Sequence, residues 1–140
     1  MKGQLFVFTD GGARGNPGPA AVGFVVKNDT GKVLVRQGKY IGETTNNVAE
    51  YSAIVEALKW LLVNSIGSIK SVDFFLDSKL VVCQLNGLYK IKKSHLRDLF
   101  VEVRKLEKSL GIKTTYRQVS REKNYDADFL VNKVLDERNP

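Results

Sequence analysis

The sequence predicts an α/β protein built on a mixed five-stranded sheet, three antiparallel strands followed by parallel strands, flanked by helices on both faces. Three observations carry this expectation. The first forty residues alternate apolar and polar positions between short turns, as an antiparallel meander does. The later apolar runs alternate with segments of three- and four-residue apolar spacing, which implies crossover helices and parallel pairing. A length of 140 residues with 43% hydrophobic content suffices for one core, so residues 1–140 are read as a single domain.

The elements follow in order. Leu5, Val7 and Thr9 define one face of a first strand, and Phe6, Phe8 and Asp10 the other. A loop rich in Gly and Pro, Gly11 to Pro19, is expected to follow at once. Ala20 to Lys27 reads as a second strand, Asn28-Asp29-Thr30-Gly31 as a turn, and Lys32 to Tyr40 as a third strand. Gly42 to Asn47 punctuates. Tyr51, Ile54, Val55, Leu58, Leu61 and Leu62 then mark a helix running to about Asn64. Ser71 to Asp77 is a short strand, and a helix from Ser78 to Leu85 starts at its end. Leu96, Leu99, Phe100, Val103, Leu106 and Leu110 mark another helix, which Gly111 ends. Ile112 to Val119 is the fifth strand, and Asn124 to about Glu137 the last helix.

Twenty-two Lys and Arg against 15 Asp and Glu give a formal charge of +7, a balance that favours polyanionic partners. The one cysteine, Cys83, has no internal partner and reads as a structural thiol. There is neither a secretory apolar region nor a membrane-length run, so a cytoplasmic monomer without membrane contact is expected.

Several carboxylates sit where a core or a strand end would not need them. Asp10 shares a strand face with two phenylalanines, a costly place for a charge without a cation beside it. Glu50 lies on the apolar side of its helix; Asn47 and Glu50 also have capping-box spacing. Asp77 closes a strand, where it either caps the next helix or faces a ligand beyond the strand end. Asp126 and Asp128 open the last helix, where acids favour the dipole and where either can point into a cleft. If the first and fourth strands are parallel neighbours, Asp10 and Asp77 come side by side, and both stay ionised only around a cation. Oxygen ligands without Cys or His suit Mg²⁺ or Mn²⁺ and argue against zinc.

Phe8-Thr9-Asp10-Gly11-Gly12 with Gly15-Asn16-Pro17-Gly18-Pro19, Thr44-Thr45-Asn46-Asn47-Val48-Ala49-Glu50, Leu76-Asp77-Ser78 and Asn124 to Asn132 together resemble the ribonuclease HI (type 1 ribonuclease H) family, in order and over nearly the whole chain. The resemblance implies the ribonuclease H-like fold. It also implies endonucleolytic cleavage of the RNA strand of an RNA–DNA hybrid, leaving 5′-phosphate and 3′-hydroxyl ends. Asp10, Glu50, Asp77 and Asp128 fall on the family's catalytic, metal-binding carboxylates, Asp128 being preferred to Asp126 because Asp128-Phe129-Leu130 fits the family pattern. Two Mg²⁺ ions, for which Mn²⁺ can substitute, are implied during catalysis. Gly15, Asn16, Thr45, Asn46 and Asn47 are the implied substrate contacts: glycine admits the strand's backbone, and free N–H groups at a helix start suit a phosphate. Lys79 stands where many relatives have Gln or Glu and is expected to reach a phosphate.

Two departures place the chain in a short subgroup. The segment Val119 to Asn124 has no histidine, where many relatives carry one implicated in proton transfer or product release; Arg121 and Glu122 read either as partial substitutes or, more commonly for such a loop, as solvated charges. His95, the only histidine, does not match that position. The stretch Asn86 to Arg97 is basic but lacks the long tryptophan-bearing protrusion of better-known members. With no separate hybrid-binding segment ahead of residue 1, low processivity is expected. A broader nuclease that also cuts double-stranded RNA, and a non-catalytic hybrid-binding module, are the alternatives.

Overall fold

The computed structural model describes residues 3–64 and 68–138. Strands β1 (Gln4–Ala13), β2 (Gly18–Asn28) and β3 (Val33–Thr44) come first, then helix α1 (Asn46–Asn64) and strand β4 (Ser71–Leu76). Helices α2 (Lys79–Leu85) and α3 (Ser94–Leu110), strand β5 (Lys113–Gln118), a single 3-10 turn (Arg121–Asn124) and helix α4 (Tyr125–Arg138) complete the chain. The sheet order is β3-β2-β1-β4-β5. β1 pairs with β2, and β2 with β3, in antiparallel fashion; β1 with β4, and β4 with β5, are parallel.

One sheet face carries Leu5, Val7, Phe24, Val26, Val72 and Phe74 against α1 and α3. Ile54 and Leu58 of α1 are fully buried there, each contributing roughly 1.5–3 kcal/mol by leaving water. The tyrosine hydroxyls of this layer are satisfied: Tyr51 Oη donates to Gln84 Oε1 at 2.7 Å and Tyr116 Oη to Glu107 Oε2 at 2.5 Å. On the other face α4 packs through Val131, Val134 and Leu135 against Ala21 and Tyr40. It can approach because Gly23 and Gly38 have no side chains: a Cβ on Gly23 would lie 2.7 Å from the Ala127 carbonyl, and one on Gly38 2.8 Å from Val134 Cγ2.

The structure lengthens the first three expected strands, β2 to Gly18–Asn28. Gly11 and Gly12 belong to β1, paired with Val22 and Ala21, so the loop shrinks to residues 14–17. β3 runs past Tyr40 to Thr44, because a register shift between Ala20 and Ala21 absorbs Ile41 and lets Gly42, Glu43 and Thr44 pair with Ala20, Pro19 and Gly18. Two expectations on turns match the structure. Asn28 Oδ1 accepts from the backbone N–H of Thr30 at 3.0 Å and of Lys32 at 2.9 Å, closing the hairpin between β2 and β3. Gly111, at φ 71°, ends α3.

Candidate active site

Pairing between β1 and β4 ends at Phe8 and Phe75, and the strands part. Asp10 lies two residues beyond that fork, and Asp77 directly follows β4. Asp77 is not the cap of α2. Ser78 is, its Oγ accepting from Val81 N at 3.2 Å, which leaves the Asp77 carboxylate to the fork. Glu50 does not close a capping box with Asn47. The start of α1 is capped by Thr45, whose Oγ1 accepts from Val48 N at 3.3 Å. Glu50 instead reaches into the fork, where its Oε1 accepts from Gly11 N at 2.8 Å. The approach is close because a Cβ on Gly11 would lie 2.2 Å from the Ala49 carbonyl.

Carboxylate oxygens of Asp10, Glu50 and Asp77 lie within 4.8 Å of one another. Asp128 of α4 lines the same cavity, of about 430 Å³. Asp126 faces two other troughs and lines this cavity nowhere. Burial, then the charges of Asp77 and Asp128, push the Asp10 carboxyl up to about 8. Burial, then Asp10 and Asp77, push Glu50 well above the carboxylate range. Asp77 is also raised by burial, and the guanidinium of Arg121, 4.0 Å away and 83% exposed, opposes that shift. Such a cluster is short of positive charge, and its all-oxygen donor set fits hard divalent cations.

The rim is built from two asparagines. Asn16 Oδ1 accepts from Asn46 N at 3.0 Å, and Asn46 Oδ1 accepts from Ala13 N at 2.8 Å. Gly15, at φ 92°, and Asn16 are exposed beside them, and Asn46 lines the carboxylate cavity. Asn47 does not join this group; it lines a separate groove of about 560 Å³ with Tyr89, Lys92 and Lys93. Lys79 is exposed in the first turn of α2 and lines neither cavity. His95 is exposed at the start of α3. One rim residue escaped the sequence reading. Arg14 lines the cavity, bonds Asp136 Oδ1 at 2.6 Å and donates to Asn132 Oδ1 at 3.4 Å, tying the first loop to α4. Its only signal in the sequence is a lone cation inside a Gly- and Pro-rich loop.

A family model described as reverse transcriptase-like matches residues 8–134. The structure of LC11-RNase H1, isolated from compost by a metagenomic approach, superposes with a TM-score of 0.92 at 38% identity, covering 99% of each chain. The chain belongs to the ribonuclease HI family. The ribonuclease HI of Halobacterium salinarum is 36% identical over 135 residues, which are 96% of this chain and 66% of that protein. Its crystal structure superposes with a TM-score of 0.89, covering 96% of this chain and 99% of that one. A bifunctional protein of Mycobacterium tuberculosis is 37% identical over 134 residues, 95% of this chain and 36% of its own length. The chain therefore spans about a third of the mycobacterial relative's length. LC11-RNase H1 has also been solved in complex with an RNA/DNA hybrid, a structure that superposes with a TM-score of 0.91 at 38% identity over 97% of this chain and 99% of that one.

Proposed function

We propose that residues 1–140 form a metal-dependent endoribonuclease that hydrolyses the RNA strand of RNA–DNA hybrids, leaving 5′-phosphate and 3′-hydroxyl ends. The observation that carries this reading is the cluster of Asp10, Glu50 and Asp77 oxygens within 4.8 Å at the parting of two parallel strands. A binding module has no use for acids that raise one another's pKa. The hybrid bound by LC11-RNase H1 supports the choice of substrate. Among the described residues no helix is long and apolar enough to cross a membrane, and a cytoplasmic monomer remains the proposed setting.

Asp10, Glu50, Asp77 and Asp128 would hold two Mg²⁺ ions, or Mn²⁺ in their place. When bound, such ions activate a water and stabilise the leaving 3′-oxygen. The chain supplies the rest. The Gly11 N–H orients Glu50. The carbonyl oxygens of Asn16 and Asn46 are engaged by backbone N–H groups, which leaves the amide NH₂ groups as donors for ribose 2′-hydroxyls and base edges. Gly15 lets the RNA backbone approach. In the first turn of α1 the N–H groups of Asn46 and Val48 are taken by Asn16 Oδ1 and Thr45 Oγ1, so the Asn47 N–H beside Thr45 is the one left for a phosphate. Lys79 stands further out as a phosphate contact. Arg121, exposed at the mouth and facing Asp77, is the cation available to a product phosphate in a chain without the loop histidine.

Cleavage of an end-labelled RNA–DNA hybrid in Mg²⁺ or Mn²⁺ tests the reading. Asp10→Asn is expected to lower the rate by about 10³-fold or more. Retained activity in that variant would remove Asp10 from the metal site. Equal cleavage of double-stranded RNA would establish the broader nuclease, and tight hybrid binding without cleavage in either metal the binding module.

A further inference from the structure

The outer side of the sheet carries a second surface. A trough of about 220 Å³ lies between Phe8, Val25 and Lys27 of the sheet and Lys123 of the 3-10 turn with Tyr125 at the start of α4. A second, of about 550 Å³, lies between Arg36 of β3 and Phe129 and Lys133 of α4. Tyr125 and Asp126 line both, so the two adjoin at that pair, and they share no lining residue with the carboxylate cavity. Tyr125 is 63% exposed and Phe129 51%, with ring centroids 6.2 Å apart. Neither belongs to a core cluster, so packing does not account for two large aromatics in water. The Lys27 ammonium lies 5.1 Å over the Phe8 ring. Lys27, Arg36, Lys123 and Lys133 face only Glu122 and Asp126 along the trough.

We propose that this trough binds single-stranded DNA, with bases stacking on Tyr125 and Phe129 and phosphates meeting Lys27, Arg36, Lys123 and Lys133. Exposed rings between cations are the chemistry that holds single strands, because every base has a stacking face and every linkage a charge. A protein partner fits less well, since protein interfaces are depleted in lysine. The choice of DNA rests on the proposed function: hydrolysing the RNA strand leaves DNA as the strand without a partner. The binding itself does not rest on that reading.

The test is fluorescence anisotropy of labelled oligothymidylate with the full chain, without divalent ions and with saturating unlabelled blunt hybrid occupying the main cleft. Binding is expected to persist under the competitor. The double variant Tyr125→Ala/Phe129→Ala should weaken it about tenfold or more while leaving cleavage of a blunt hybrid unchanged. Lys27→Glu/Lys133→Glu should weaken it and lower the salt slope by about 2. Displacement by the hybrid, or wild-type affinity in the aromatic variant, would overturn the proposal. So would preference for oligouridylate, or a dimer that the aromatic variant turns into monomer, the latter making this a face for a second copy. Oligothymidylate binding in a chain that does not cut hybrid would sink the nuclease reading and leave this one standing.

Discussion

Asp10 takes its character from its neighbours. Its carboxyl binds a proton up to about pH 8 in the folded chain, against an ordinary value of 3.8. Between those values the folded state holds a proton that the unfolded state has lost. The stability this contributes is complete below about pH 4 and disappears as pH rises through about 8. The metal-free protein should therefore show a falling Tm from about pH 5 to 9, and Asp10→Asn should flatten that fall and melt higher at the alkaline end. A relief on the order of 1 kcal/mol is about 3 °C for a domain of this size. Differential scanning calorimetry in chelator checks it; an unchanged slope in the variant would show that Asp10 is not the titrating group. Asp10 was legible from the sequence because a carboxylate continues a phenylalanine face. Glu50 and Asp77 were ambiguous because capping uses the same residue types at the same spacing. Only the structure shows that Thr45 and Ser78 cap the helices instead, each with a hydroxyl on the N–H three residues ahead.

Among the elements, α4 carries Asp128, and its position depends on two glycines in strands it crosses. Gly23→Ala sets a methyl 2.7 Å from the Ala127 carbonyl and must lift α4 next to Asp128. Gly38→Ala meets Val134 Cγ2, the end of a side chain, at 2.8 Å, and the Leu130 carbonyl only at 3.2 Å, where a few tenths of an ångström suffice. Both should destabilise by about 1–3 kcal/mol in urea unfolding. Only Gly23→Ala should also weaken Mg²⁺ binding by isothermal titration, and equal metal affinity in the two variants would contradict this account. The helices and their stops could be read from apolar spacing and from Gly111. The end of β1 could not, because Gly11, which looks like a loop residue, is used here for the close approach of α1.

For the whole molecule, a charge of +7 is carried on a chain whose candidate site is acidic, so under the proposed function cations elsewhere would attract the hybrid. Hybrid affinity should then fall steeply with salt, by at least about tenfold between 50 and 200 mM, measured without divalent ions. A flat response would mean that contacts other than phosphate dominate. The order of elements and the mixed sheet were readable because meander and crossover impose different spacings. The side-by-side arrangement of residues 10, 50 and 77 needed the strand order, which no local pattern contains. Where β1 and β4 part, Gly11 has no strand on that side, and a carboxylate oxygen takes the place a neighbouring carbonyl would fill. Its amide proton is thus a resonance tuned by the charge state of Glu50. Titrating Mg²⁺ into ¹⁵N-labelled protein should shift the Gly11 cross-peak early and in step with loading, so that one backbone signal reads the site with no nucleic acid present. A Gly11 peak that stays still while the Asp10 and Asp77 amides move would place the ion away from Glu50.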